Sequence, residues 1–288
     1  MISIIIINFN VSKHLFNCLS SLASSNENDL FEIIIVDNNS TEDVDIESKL
    51  NFFNQSIKFY KLNENKGFSK AVNFGIKKSN GDYVLLLNPD TLIDETSILG
   101  MSSFLDKNLD VGIVGCKVLY PNGDYQHSSK RHFPLIRFGL WRLLKLDKIF
   151  HNSSVYGRYN YTFHSHDDSL EVDAVSGACM MFRKTLLSEI GYFDEIFFLY
   201  FEDTDFCYRA KKKCKVIYNP DFSVIHIKGE SFKNSKFNVN YEFFKSFYSF
   251  YVKYFNEYHN FYISKLFIKY TLKLSVFVLS LSKKVYKI

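Results

Sequence analysis

The sequence predicts an α/β fold with a mostly parallel, doubly wound central sheet and a helical extension at its C-terminal end. Three observations lead there. Short apolar runs alternate with helically periodic stretches over the first 90 residues. Each run stops at small polar residues. The clearest run, Tyr83-Val84-Leu85-Leu86-Leu87, halts at Asn88-Pro89-Asp90, as expected of a strand buried on both faces. Pro89 cannot donate to a ladder, so the strand ends there and Asp90 lies just past its carboxyl end. In open α/β sheets that edge binds ligands, and a carboxylate there can hold a divalent cation against a diphosphate. Asn-Pro-Asp alone also reads as a plain turn.

The elements follow in order. Residues 3–7 are a strand of isoleucines after Ser3, ending in Asn8-Phe9-Asn10. Leu15, Cys18, Leu19 and Leu22 recur at helical spacing, with Asn10 or Ser12 as N-cap. Residues 31–36 form a second buried strand, closed by Asp37-Asn38-Asn39-Ser40-Thr41. Residues 57–62 form a third, closed by Asn63-Glu64-Asn65-Lys66-Gly67-Phe68. A helix over 69–78 buries Ala71, Val72 and Ile76, and Asn80-Gly81 turns into the strand at Tyr83.

Each strand end offers chemistry. Asp37 can accept from the ring NH of a pyrimidine, and neighbouring asparagines, Asn39 among them, can reach ribose hydroxyls. Gly67 permits close approach of backbone to a ligand, and Asn73 can face the same cleft. Turn and cap chemistry explains any one of these residues, but four strand ends together less well. No GxGxxG and no GxxxxGK[ST] is present, so neither a dinucleotide site nor a P-loop is indicated.

Composition narrows the class. Five scattered cysteines without CxxC or zinc spacing read as reduced thiols of a cytoplasmic protein. Residues 1–7 contain no basic residue and the apolar run breaks at Asn8, too early for a secretory signal. No window reaches the roughly 18 uncharged apolar residues of a membrane span. Residues 231–288 hold ten Lys against two Glu, so the rest of the chain carries −4 of the overall +4. That tail also holds 18 Phe or Tyr, which fits a surface-seeking segment and not a nucleic-acid-binding domain.

The series Ser3-Ile4-Ile5-Ile6-Ile7-Asn8-Phe9-Asn10, Ile34-Ile35-Val36-Asp37-Asn38-Asn39-Ser40-Thr41, Asn65-Lys66-Gly67-Phe68 and Leu85-Leu86-Leu87-Asn88-Pro89-Asp90 resembles family 2 glycosyltransferases, closest to their rhamnosyltransferase-like branch. The likeness continues at Val175-Ser176-Gly177-Ala178, Gly191-Tyr192-Phe193-Asp194-Glu195, Phe198-Leu199-Tyr200-Phe201-Glu202-Asp203-Thr204-Asp205 and His226, and spans residues 2–229. It implies a GT-A fold over 1–230, with a nucleotide-sugar half (1–115) before an acceptor half (116–230). It puts Asp37 on the base and Asn8 near the nucleotide, with Asn65, Gly67 and Phe68 on the same side; Asn10, Asn39, Asn73 and Asn88 complete the expected donor set. Asp90 is similar to the last position of the family's Asp-x-Asp metal motif, whose first position is Asn88 here. The implied metal is Mg2+ or Mn2+, held by Asp90 and His226.

The second half is read less directly. Residues 99–105 continue as helix, 111–119 read as a strand-pair region and Pro121-Asn122-Gly123 as a turn. Residues 125–169 contain His127, His132, His151, His164, His166, Arg131, Arg137, Arg142 and Trp141, with no metal-ligand spacing. His164 and His166 would share one side of a strand but lack a third ligand. A loop closing over donor or acceptor fits the length. Ser176, Gly177 and Ala178 permit a sugar to approach backbone, or equally a tightly packed strand. Glu202-Asp203-Thr204-Asp205 opens a helix, where the dipole alone favours acids. Inverting glycosyl transfer needs one carboxylate as base, and the resemblance assigns it to Asp203, with Glu202 in support. Asp205 and Arg209 are i, i+4. A strand over 216–218, a break at Asn219-Pro220 and a further strand over 222–227 carrying His226 follow; a lone strand histidine is also a common structural residue. Lys228 and Ser231 can add diphosphate contacts.

Over 265–282, helical projection gathers Lys265, Lys269, Lys273 and Ser280 on one stripe. Such a helix lies on an anionic membrane surface or packs on protein. The expectation is an inverting transferase moving a sugar, rhamnose from dTDP-rhamnose if the branch holds, from a nucleoside diphosphate to a glycan or lipid-linked hydroxyl, in the cytoplasm or on the inner face of the membrane. The rival readings are a sugar-phosphate nucleotidyltransferase, which should open with a glycine-rich phosphate loop, and a catalytically inactive, membrane-docked glycan- or nucleotide-binding scaffold.

Overall fold

The computed structural model describes residues 1–22, 30–42, 44–50, 53, 56–135, 137–138, 141, 144–227, 239–258 and 270. The chain runs β1 (Ile2–Asn8), α1 (Ser12–Leu22), β2 (Phe31–Asp37), α2 (Ile46–Leu50), β3 (Ile57–Lys61), α3 (Phe68–Lys78), β4 (Tyr83–Leu87), β5 (Thr91–Ile93), α4 (Glu95–Lys107) and β6 (Val111–Leu119). Then come β7 (Lys130–Arg131), α5 (Leu146–Ile149), β8 (Leu170–Glu171), β9 (Ala174–Val175), β10 (Cys179–Arg183), α6 (Leu186–Ile190), α7 (Glu202–Ala210), β11 (Lys215–His226) and α8 (Val239–Tyr258).

The main sheet has the order β3-β2-β1-β4-β10-β6-β11-β5, with β8 also on β11. Strands β3, β2, β1 and β4 are parallel, whereas β10 runs antiparallel to both its neighbours. Successive residues of a strand face opposite sides, so the isoleucine run of β1 supplies two cores at once. Ile5 and Ile7 join Ile34, Val36, Val84 and Leu86 under Ala71, Val72 and Ile76 of α3. Ile4 and Ile6 join Ile33, Ile35, Leu85 and Leu87 under Leu15, Cys18 and Leu19 of α1 and Ile98, Met101 and Leu105 of α4. This is the α/β architecture that the alternation of strands and helices predicts.

Two expected boundaries change. Residues 111–119 are one nine-residue strand, not a strand pair. Asn219-Pro220 does not end a strand: β11 continues to His226, and its pairing with β6 slips between Asn219 and Ser223. At such a bulge the missing Pro220 N–H costs no ladder bond. His164-Ser165-His166 lies in a turn, not on a strand.

Helix α8, the first part of the basic tail, lies on the body of the protein. Phe250, Tyr251 and Tyr254 are buried, and Phe201 meets Phe243, Phe247 and Phe250 ring to ring. No helix among the described residues is long and apolar enough to cross a membrane. The projected helix over 265–282, like Lys228 and Ser231, lies outside the described residues, Tyr270 excepted.

Candidate active site

The carboxyl ends of β1 and β2 are in register, Asn8 opposite Asp37. Asn8 Nδ2 donates to Asp37 Oδ1 at 2.7 Å, and Ser40 donates to the same carboxylate through N (3.0 Å) and Oγ (2.5 Å). Asn8 Oδ1 is buried without a partner. Asn10 and Asn39 both take the left-handed backbone that asparagine tolerates, and Asn10 Oδ1 accepts from Thr41 N at 2.7 Å. The ends of β2 and β3 are stapled by Asn38, which donates to Asn65 Oδ1 (2.9 Å) and accepts from Lys66 N (2.9 Å). Gly67 has φ +82°, and a Cβ there would meet Phe198 at 2.6 Å. Its close neighbour is thus the chain itself, and Phe68 N donates to Phe198 O at 2.7 Å. Asn73 is buried in α3 with its amide taken up by Phe193 N, Phe193 O and Glu195, so it fixes the 193–195 turn and is not free to face a ligand.

The reversed direction of β10 brings the start of that strand to the end of β4. Asn88 N donates to Ala178 O at 2.9 Å, and Gly177 N donates to Asp203 Oδ2 at 3.0 Å. Residues 176–178 therefore bridge Asn88-Pro89-Asp90 to the first turn of α7. A Cβ on Gly177 would stand 3.3 Å from Asp203 Cβ, so glycine leaves the carboxylate its place. Asp203 Oδ2 also accepts from Arg131 at 2.5 Å, and Oδ1 accepts from Thr204 N (2.6 Å) and Thr204 Oγ1 (3.1 Å). Burial alone would lower the Arg131 guanidinium, but the facing Asp203 carboxylate more than offsets this and holds it above its ordinary value. Glu202 has the opposite problem. Burial, then the charge of Asp203, pushes its carboxyl up to about 8, and its Oε2 has no partner. Immediately before it, Tyr200 and Phe201 have φ of 66° and 67°, two successive left-handed residues that set the entry to α7.

Past β4, Asp90 meets the end of β11. His226 pairs with Thr91 across the sheet, and Ile227 N donates to Asp90 O at 2.8 Å. Asp90 Oδ1 lies 3.2 Å from His226 Nε2 and is buried with no hydrogen-bond partner. Gln126 decides which imidazole nitrogen faces it. Gln126 Nε2 donates to the carbonyls of Leu119 (3.1 Å) and His226 (2.7 Å), which turns Oε1 to His226 Nδ1 at 3.2 Å. Nδ1 then carries a proton, so that in the neutral ring Nε2 presents a lone pair to the carboxylate and two acceptors face one another, with Asn88 Nδ2 3.4 Å from Nε2. A divalent cation resolves that juxtaposition, so the residues fit a metal for which a diphosphate supplies further oxygens. No group of three or more His, Cys, Asp or Glu able to hold a metal occurs among the described residues.

Gln126 and Arg131 are not picked out by the sequence. They follow the 121–123 turn in a stretch without periodicity. Only the two-residue pairing of β7 with β9 carries Arg131 to Asp203. The one available signal is weak, a run of basic residues, Lys130-Arg131-His132, without a nearby acid.

A mostly parallel sheet with polar strand ends, carboxylates and a histidine gathered on one edge is the arrangement of the GT-A glycosyltransferase fold. The chain belongs to glycosyl transferase family 2, whose family model matches residues 3–191. It is similar to the low-salt glycan biosynthesis hexosyltransferase Agl10 of Haloferax volcanii, 26% identical over 74% of this chain and 62% of the relative. It is also similar to the N-acetylglucosaminyl-diphospho-decaprenol L-rhamnosyltransferase of Mycobacterium tuberculosis, 24% identical over 80% of this chain and 77% of that one. Residues 1–349 of S. aureus TarS, solved in complex with UDP-GlcNAc, share the fold with a TM-score of 0.57 at 20% identity, covering 88% of this chain and 66% of that one. The chain thus spans somewhat less than two thirds of the haloarchaeal relative and of the solved structure.

Proposed function

We propose that the protein is an inverting glycosyltransferase that moves a sugar from a nucleoside diphosphate donor to a hydroxyl of a cell-surface glycan or lipid-linked acceptor. The observation that carries this reading is the bridge at residues 176–178, which ties Asp203 to Asn88-Pro89-Asp90 on one sheet edge. Asp203 takes the proton of the attacking hydroxyl, opposite the leaving diphosphate. Four donors converge on its carboxylate, and the Thr204 hydroxyl is the one that can turn its proton away and free a lone pair. Arg131 and Gly177 N hold the other oxygen. Glu202, protonated at neutral pH, lines the acceptor side with Ser176, Gly177 and Ala178. Asp90 and His226 would hold Mg2+ or Mn2+, which supplies positive charge to the leaving diphosphate. On the donor side, Asp37 and Asn8 address the base, with Asn10, Asn39, Asn65, Gly67, Phe68 and Asn88 around the nucleotide. The mycobacterial relative is named as an L-rhamnosyltransferase acting on a diphospho-decaprenol, which supports rhamnose as the sugar and a lipid-linked acceptor.

Asp203→Asn tests the base. Donor affinity by titration calorimetry should stay within about twofold, while transfer falls by about 10²–10⁴. Transfer retained near the parental rate would move the base to another residue.

A further inference from the structure

Among the described residues, thirteen large apolar side chains are exposed, and four of them fall within residues 144–155: Leu144 (55%), Ile149 (65%), Phe150 (50%) and Val155 (51%). The charge along the segment is one-sided. From Arg137 to Arg158 the sequence holds five Lys or Arg against a single acid, Asp147, and Lys145 and Lys148 lie among the exposed apolar groups. The segment is braced by its own backbone. Phe150 N donates to Leu146 O (2.9 Å), Ser153 N to Phe150 O (2.9 Å), Gly157 N to Ser153 O (2.8 Å) and Thr162 N to Gly157 O (3.0 Å). A ladder of rings then leads inward, Phe150 to Tyr156 (5.4 Å), Tyr156 to Trp141 (5.2 Å), Trp141 to Phe138 (5.3 Å) and Phe138 to His132 (5.2 Å). His132 follows Arg131, the partner of Asp203.

A rigid, exposed apolar tip within a basic surround matches an interface of apolar chains beneath negative headgroups. We propose that residues 144–155 dock on an anionic membrane surface, with Leu144, Ile149 and Phe150 entering the interface and Lys145 and Lys148 against the headgroups. This surface is separate from the basic tail, and it stands whether or not the transferase reading holds. The ring ladder links this surface to His132, the neighbour of Arg131.

Trp141, the only tryptophan, reports on the tip directly. The full chain is mixed with phosphatidylcholine vesicles, with and without phosphatidylglycerol, whose acyl chains are brominated. Trp141 emission should shift to the blue and be quenched on the anionic vesicles alone. Leu144→Glu with Ile149→Glu should abolish the quenching while leaving the thermal transition unchanged, since both side chains are exposed and neither belongs to the ring ladder. Lys145→Gln should weaken binding to anionic vesicles about fivefold. Vesicle binding with Trp141 unquenched would mean docking through the tail alone and would overturn the proposal. So would an absence of binding, or a lipid-independent change in Trp141 that grows with protein concentration, which would assign the patch to a second copy of the chain.

Discussion

Glu202 shows how one buried carboxyl can set a pH dependence. Its folded value, about 8, lies above the ordinary 4.5, so the native state holds the proton more tightly than the unfolded chain. The stabilisation is complete below about 4.5, declines as pH rises through that window, and levels off above about 8. Glu202→Gln, which keeps the neutral shape, should melt close to the parent at pH 5 and a few degrees higher above pH 8, on the order of the shift that a kcal/mol or two produces in a chain this long. Melting curves that stay parallel across the range would remove Glu202 from this role. Gln126 makes a separate claim. With its amide replaced in Gln126→Leu, nothing fixes the His226 tautomer, and Mn2+ affinity measured by electron paramagnetic resonance should fall by about 10–100-fold. An unchanged affinity would place the metal elsewhere. Neither Gln126 nor Arg131 was legible in the sequence, because each reaches the site through pairing between segments 40 or more residues apart. The positions of Asp37 and Asp90 at strand ends were, because each follows a plain apolar run, whereas His226 was singled out only by the family resemblance.

Among elements, α7 is held from outside as much as from within. Asp205 is fully buried and receives Arg209 Nε (2.9 Å), Lys253 Nζ (2.6 Å) and Tyr254 Oη (2.6 Å), the last two from α8. Burial, and then the Asp205 charge, drives the Tyr254 hydroxyl well above its ordinary value, so it remains a donor at every working pH. Tyr254→Phe should cost about 1.5–3 kcal/mol in chemical denaturation, the worth of a hydrogen bond to a buried charge. A loss under about 0.5 kcal/mol would show that Arg209 and Lys253 suffice. The i, i+4 pair of Asp205 and Arg209 is visible in the sequence, whereas the cross-link to α8 is not. Lys253 and Tyr254 lie 48 and 49 positions away, on a stretch whose aromatic content hides which face is buried. The strands were easier to read because a run buried on both faces has no polar phase to confuse. The bulge in β11 was not, since Pro220 reads as a stop unless the partner strand is known.

Taken whole, the molecule gathers Asp37, Asp90, Asp203 and His226 on one edge of a sheet whose parallel half was predicted strand by strand. Thermal shift with UDP, dTDP, GDP and CDP, with and without Mn2+, addresses that arrangement at full scale. Stabilisation by UDP or dTDP that grows with Mn2+ is the expected result, by a few kcal/mol at about 100-fold excess over Kd. Stabilisation without turnover would favour an inactive binding protein, and no shift with any nucleotide would count against the transferase. The entry to α7 bears on any such assay. The left-handed pair Tyr200-Phe201 is an unfavourable backbone, and the rings of Phe243, Phe247 and Phe250 lie against Phe201. Helix α8 therefore buttresses the entry to α7. A chain trimmed ahead of residue 239 to rid it of its greasy, basic end would lose that support together with the Lys253 and Tyr254 bonds to Asp205, and its lost activity would be mistaken for a lesion in chemistry.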